Sequence, residues 1–245
     1  MLISAPKLKV YTFVSLMHCP AMFFNTMLAI FFYSYYFILA PFEGGSNNTY
    51  TKDYSGWGNK LTTPSGSAPT WNRTGGHDGF GAYEFTTDNR YLQINDTTNM
   101  PLHNFTFGAW VKPLSTHEID VETNSLDDTS GVSGQKYVFF PPHGGVDNMG
   151  VGVSVGTNGI SVYEHGAAYM PAVAVYNQNI GTGWSHVVVT YENRTAKIYL
   201  NGTLVHTGLT SQRDIAIAPN VIGASAYGSF NGTIDDVLSL IHISE

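Results

Sequence analysis

At 245 residues the chain is long enough for one large domain or two small ones, and only 12% of it is charged beside 26 Gly, 15 Tyr and 14 Phe, which excludes a coiled coil, a collagen and a highly charged disordered tail. Its formal charge of -7 is more negative still beyond residue 40, because the first forty residues hold Lys7 and Lys9 and no acid; such a body repels phosphate backbones, so no nucleic-acid partner is expected. Cys19 is the single cysteine, which excludes an intramolecular disulfide and Cys-rich zinc sites and leaves oxygen- or nitrogen-ligated metals open.

Residues 10–42 contain no Asp, Glu, Lys or Arg. An apolar run of 18 or more residues is able to cross a bilayer as a helix, and lysines just before it favour a cytoplasmic N-terminus. Residues 10–40 therefore read as a signal-like or membrane-anchoring segment, with the rest exported, either extracellular or anchored outside. No small-x-small cleavage site follows the run, so an uncleaved anchor is preferred over a signal peptide. Two other readings stay open. Pro20 interrupts the run and residues 33–40 (YSYYFILA) suit a buried first strand, or the upstream part is a mis-called start. The organisation expected is an apolar segment, 1–40, followed by one domain, 41–245.

After residue 41 the sequence consists of short β runs separated by Gly, Asn, Pro and Ser. Runs at 91–94 and 105–111 come first. Residues 151–155 then alternate, Gly156-Thr157-Asn158-Gly159 turns the chain, and 160–163 alternates again. Asn-Gly between alternating runs is a strong hairpin signal, because both residues tolerate positive φ. The pattern recurs as 186–191, a turn at 192–195, 196–200, Asn201-Gly202 and 203–206, a three-stranded antiparallel meander. A last run covers 233–240. No stretch beyond 41 keeps a 3.6-residue period. About a dozen short strands in one domain predict an all-β fold, a two-sheet antiparallel sandwich of jelly-roll type.

Several segments resemble the laminin-G-like (concanavalin A-like) jelly-roll family. Phe42-Glu43-Gly44 is similar to its first-strand F-D/E-G element, and Asp53-Tyr54-Ser55-Gly56-Trp57-Gly58-Asn59 to the D-x-S-G-x-G-N turn after it. The runs GFGAYEF at 79–85, FTFGAWVK at 105–112, WSHVVVTY at 184–191, YLNG at 199–202 and FNGTIDDV at 230–237 follow the family's order. The closing strand departs from it: residues 238–243 replace the usual arginine and tyrosine. Members of this family often bind one calcium ion where the first and last strands meet. The resemblance implies a structural calcium with Asp235 and Glu43 as ligands and carbonyl oxygens from the glycines near Gly75-Gly76, and calcium takes six to eight hard oxygens. The competing reading of Asp235 and Asp236 is a solvated pair or a turn cap.

His117-Glu118-Ile119-Asp120-Val121-Glu122 also matches the E-[I/L]-D-x-E signature of family 16 glycoside hydrolases, which share the jelly roll. On a strand, Glu118, Asp120 and Glu122 point to one face at steps of about 7 Å. The resemblance implies Glu118 as nucleophile and Glu122 as acid/base of a retaining β-glucan hydrolase, which needs its carboxyls about 5–5.5 Å apart. The setting argues against it: Ser115-Thr116 precede and a polar, turn-rich stretch follows, where laminin-G-like domains insert a loop.

Sugar rings pack on exposed aromatic faces while Asn, Asp and His bond their hydroxyls. Trp57, Tyr169, His165, Asp147 and Asn148 are the candidate ligand-binding residues. Seven Asn-x-Ser/Thr triplets arise readily in Thr-rich turns and discriminate nothing. The function expected is a non-catalytic extracellular or surface module that recognises glycans or proteins through its loops. The alternatives are the Glu118/Glu122 hydrolase and a structural module of a larger surface assembly.

Overall fold

The computed structural model describes residues 36–43, 45–94, 96–97, 100–224 and 226–241. The strands in chain order are β1 (Tyr36–Ala40), β2 (Tyr50–Thr51), β3 (Leu61–Thr62), β4 (Thr70–Asn72), β5 (Ala82–Phe85) and β6 (Tyr91–Ile94). Then come β7 (Phe105–Pro113), β8 (Tyr137–Phe140), β9 (Asn148–Gly156), β10 (Gly159–His165), β11 (Ala172–Tyr176) and β12 (Ser185–Glu192). The last are β13 (Thr195–Leu200), β14 (Thr203–Thr210), β15 (Ile215–Ile217), β16 (Val221–Gly223) and β17 (Gly232–Ile241). The one helical element among the described residues is a 3-10 turn, Ser130–Val132.

One sheet runs β14-β13-β12-β7-β17-β5-β4, with β1 also paired to β17; the other runs β11-β10-β9-β8-β16-β6-β3-β2, with β15 parallel to β9. The expected two-sheet, all-β sandwich is therefore the observed fold. Its hairpins form where alternation met Asn turns. Asn193 and Arg194 between β12 and β13 both have positive φ, as do Asn201 and Gly202 between β13 and β14. That combination matches the right-handed twist of the flanking strands.

Alternation sorts the side chains into two faces. Val151, Val153 and Val155 of β9 and Ile160 and Val162 of β10 meet Phe105, Phe107, Val187 and Val189 of the opposite sheet in one core. Phe107 and Phe139 touch edge to face across the layers at 5.1 Å, and Phe105 stacks on Tyr191 at 5.5 Å. Tyr191 carries its hydroxyl across the sandwich to the buried Glu164 (2.7 Å), whose other oxygen accepts the Ser211 hydroxyl (2.7 Å). Burial raises the Glu164 pKa, against the pull of those two hydroxyls. Tyr163 and Tyr137 instead join Met170, Ala172 and Ala224 in a smaller cluster. Because Tyr163 alternates with Val162 along β10, this cluster lies on the far side of the second sheet.

The anchor reading of residues 10–40 falls, up to residue 35, outside the described residues. From Tyr36 the chain is strand: Phe37, Ile38 and Ala40 are buried, and β1 is antiparallel to β17 with Ala40 opposite Val237. Of the readings left open for residues 36–40, the strand is the one observed. Asp53 clamps it. Its carboxylate accepts four hydrogen bonds, from Leu39 N (3.0 Å), Ser55 N (2.8 Å), Ser55 Oγ (2.6 Å) and Asn59 N (2.9 Å). Asn59 Nδ2 in turn donates to Phe37 O at 3.0 Å. The D-x-S-G-x-G-N spacing is thus a turn that folds back on β1. Removing a buried charged acceptor strands several amides, a loss of about 2–4 kcal/mol. Asp53→Ala should lower the unfolding free energy from urea melts by that much at unchanged slope, whereas a loss below about 0.5 kcal/mol would mean that β1 is held by its ladder alone.

Candidate functional site

The closing strand changes neighbours partway along. Gly232, Thr233 and Ile234 pair with β5, and Val237 to Leu240 pair with β1. Against β7 the register shifts between Asp235 and Leu238, and Asp236 takes a φ of 50°. A bulge re-aims side chains next to it, and here it presents two consecutive carboxylates at the junction between the end of β1 and the start of β5. Asp235 is fully buried. Its Oδ1 accepts Asp236 N (2.8 Å) and its Oδ2 accepts His77 N (3.0 Å). His77 Nδ1 lies 3.0 Å from Asp235 Oδ2 and 3.4 Å from Asp236 Oδ2. The imidazole stacks on Trp110 at 4.2 Å, and Trp110 leans on His186 at 5.1 Å. His186 is held down to about 4 by burial and by its neighbour His77.

Glu43, just past β1, completes the group. Burial, followed by the charges of Asp235, Asp236 and Asp78, pushes its carboxyl up to about 8. Its Oε1 is buried without a hydrogen-bond partner. Burial also lifts Asp235 to about 7, against the amides of His77 and Asp236. Gly76 is obligatory here: a Cβ on it would stand 2.6 Å from Asp235 Oδ2 and 3.0 Å from the carbonyl oxygens of Phe80 and Gly81. His77, Asp235 and Asp236 each bring one ligand atom within 4.8 Å of the others, and the Glu43 carboxyl lies near enough to feel both aspartates. That donor set fits a divalent cation, which would relieve the repulsion among the neighbouring carboxyls. Asp235 and Glu43 are the residues the sequence pointed to; the neighbouring His77 and Asp236 were not singled out as ligands, although His77 directly follows the Gly75-Gly76 pair.

The E-I-D-x-E segment is not a strand. Residues 114–136 form a strap over the far face of the second sheet, tied by Glu118 N to Gly134 O (2.9 Å), Thr123 N to Ala172 O (2.8 Å) and Met170 N to Asp128 O (2.6 Å). Asp120 Oδ2 accepts Tyr163 OH (2.5 Å) and Gln135 Nε2 (2.8 Å), and burial raises its pKa. Glu122 Oε2 accepts Val175 N (2.7 Å) and meets His206 Nε2 (2.5 Å). The three carboxyls do not share one strand face, because Asp120 turns to Tyr163 of β10 and Glu122 to Val175 of β11 while Glu118 is exposed.

Beside the strap the same face remains open. Phe140 stacks on Tyr227 at 6.0 Å, His165 meets Tyr227 edge-on at 5.8 Å, and His143 abuts His165 at 4.9 Å. Tyr227, 41% exposed, edges a cleft of about 350 Å³ that also takes in Asp88, Asn89, Gln135, Lys136 and Ser229. Of the ligand-binding residues expected from the sequence, His165 stands in this aromatic group, its ring Nδ1 3.1 Å from Pro141 O. Asn148 opens β9 half-buried and Asp147 is exposed just before it. Tyr169 requires a correction: it is 3% exposed, with the Arg213 guanidinium 5.2 Å over its ring, so no ring face is free for a sugar. Trp57 is 47% exposed in the Asp53 turn, and no described contact joins it to the others. Tyr227, Phe140, Asp88 and Asn89 were missed; they come from three separate segments and carry no local motif.

A family model described as the concanavalin A-like lectin/glucanases superfamily matches residues 85–238, and the chain belongs to that superfamily. No curated protein matches it. Among solved structures, the botulinum neurotoxin serotype D binding domain is similar at a TM-score of 0.56 and 13% identity, over 90% of this chain and 50% of that one. This chain thus spans about half the length of that domain, and the likeness is one of fold. Carbohydrate-binding module CBM66 from Bacillus subtilis (TM-score 0.36, 16% identity, 74% and 90% coverage) and mouse laminin alpha1 domains LG4-5 (0.44, 11%, 63% and 40%) are also similar.

For Asp235 and Glu43 the folded-state pKa lies above the unfolded value, so their stabilising contribution is present at acidic pH and lost as pH rises through about 7 to 8. In chelator the melting temperature should fall between about pH 5 and pH 9, and Asp235→Asn should flatten that fall. A melting temperature that rises across the window would show that the two carboxyls are not held protonated.

Proposed function

We propose that the protein is a non-catalytic, exported binding module that recognises glycans, with the Tyr227 cleft as its contact surface. The observation that carries this reading is an exposed tyrosine ring, backed by Phe140 and His165, at the edge of an open cleft lined with carboxylate, amide and amino groups. Apolar sugar faces stack on such a ring while Asp88, Asn89 and Lys136 offer partners of both signs to hydroxyls. The superfamily includes lectins and glucanases. The lectin side is favoured because the Asp120 and Glu122 carboxylates of the glucanase-like segment are engaged by Tyr163, Gln135, Val175 and His206.

The cluster at the β17 bulge is read as a site for one structural divalent cation. The resemblance implies calcium; Glu43, Asp235 and Asp236 would hold the ion and the carbonyls of Phe80 and Gly81 would stand by. Its chemistry is charge neutralisation that pins the end of β1 to β17, with no part in a reaction.

A glycan array followed by calorimetry on the best ligand tests the cleft. Tyr227→Ala should weaken binding about tenfold or more with melting unchanged. Undiminished affinity would move the site elsewhere. A reducing-sugar assay on laminarin, agar and mixed-linkage glucan should show no turnover, and turnover abolished by Glu118→Gln would establish the hydrolase instead.

A further inference from the structure

We propose, resting on the cation-site reading, that His77 Nδ1 is itself a ligand and that the site therefore takes a first-row transition dication such as zinc in preference to calcium. Calcium selects hard oxygens, whereas imidazole suits zinc and its neighbours. His77 is placed for coordination and not for solvent. Its side chain is 9% exposed, beside Asp235 at 0% and Asp236 at 8%. One ligand atom from each of the three lies within 4.8 Å of the others. The Nδ1-to-oxygen separations of 3.0 and 3.4 Å bracket the spacing of roughly 3.3 Å that tetrahedral bonds of about 2.0–2.1 Å impose on neighbouring ligands. These three residues supply one nitrogen and two carboxylates.

The fold holds the imidazole in this pose. The ring lies flat on Trp110, 11° from parallel, with Trp184 edge-on at 6.3 Å. The backbone amide of His77 is bonded to the same Asp235 oxygen that faces its Nδ1, so ring and carboxylate are fixed by one residue's main chain. Rotating His77 away to make an all-oxygen site would break the stack and expose a face of Trp110. Metal binding exchanges the Nδ1 contact to Asp235 for a bond to the ion, and any proton on Nδ1 leaves to solvent.

The test uses the full chain, stripped with chelator and titrated by calorimetry with zinc and with calcium, and with cobalt(II) for its visible spectrum. Zinc should bind at one equivalent, roughly tenfold or more tighter than calcium. Cobalt should give the intense visible bands of a low-coordinate site with a nitrogen ligand. His77→Ala should lower zinc affinity at least about tenfold, and His77→Asp should raise calcium affinity relative to zinc. Calcium binding tighter than zinc in the native chain would overturn the assignment while leaving the cation site standing. A zinc isotherm unchanged in His77→Ala would overturn it as surface-histidine binding. Binding of no dication at all would overturn both the assignment and the site. If either variant fails to fold, the native cobalt spectrum decides, and weak octahedral bands contradict the assignment.

Discussion

The closing strand β17 is the constraint on which the molecule depends. It pairs with β7 along one side and, on the other, first with β5 and then with β1, which lies nearly two hundred residues upstream. A single straight strand cannot serve both neighbours in register, and the shift between Asp235 and Leu238 accommodates the change. The cost is backbone in the left-handed region at Asp236 and a fully buried carboxylate at Asp235. Those two consequences create the polar cluster that His77, Glu43 and Gly76 complete. The chemistry of that corner follows from topology.

The second sheet shows a different division of labour. Its inner face, largely aliphatic with Phe139 and Glu164 among it, closes the core, while its outer face carries Tyr137 and Tyr163 beneath the strap 114–136. The strap's acids resemble a catalytic signature but act as fasteners: Asp120 receives a tyrosine hydroxyl and Glu122 receives the Val175 amide on the outermost strand of that sheet. Covering an edge amide in this way also blunts a strand that would otherwise invite pairing. Where the strap ends, the face opens at Phe140 and Tyr227, and there the scaffold presents aromatic surface beside polar groups. The sandwich sets the positions, and the loops hold the side chains that differ from one such fold to another.

Much of the fold was legible because its signals are local. Asn201-Gly202 and the alternating runs on either side of Asn158-Gly159 specify hairpins within a few residues, and the Asp53 turn is spelled out by its own spacing. The carboxylates at 118, 120 and 122 would line a strand only if one formed; the polar, turn-rich setting argued for a loop, and bonds of the strap to β10, β11 and β14 hold it as one. Tyr169 misled because a loop aromatic is exposed only if nothing covers it, and Arg213 does. His77 lies 158 positions from Asp235, and Tyr227 meets Phe140 only through sheet order. Such pairings are set by which strands become neighbours, which no short stretch of sequence records.

Native-state hydrogen exchange across the full chain tests most directly whether β17 organises the domain. If it does, the amides of β1, β5, β7 and β17 open together, at the free energy of global unfolding. Exchange of Phe37, Leu39 and Ala40 at much lower free energy, independent of β17, would contradict the account and reduce β1 to a loosely docked flank.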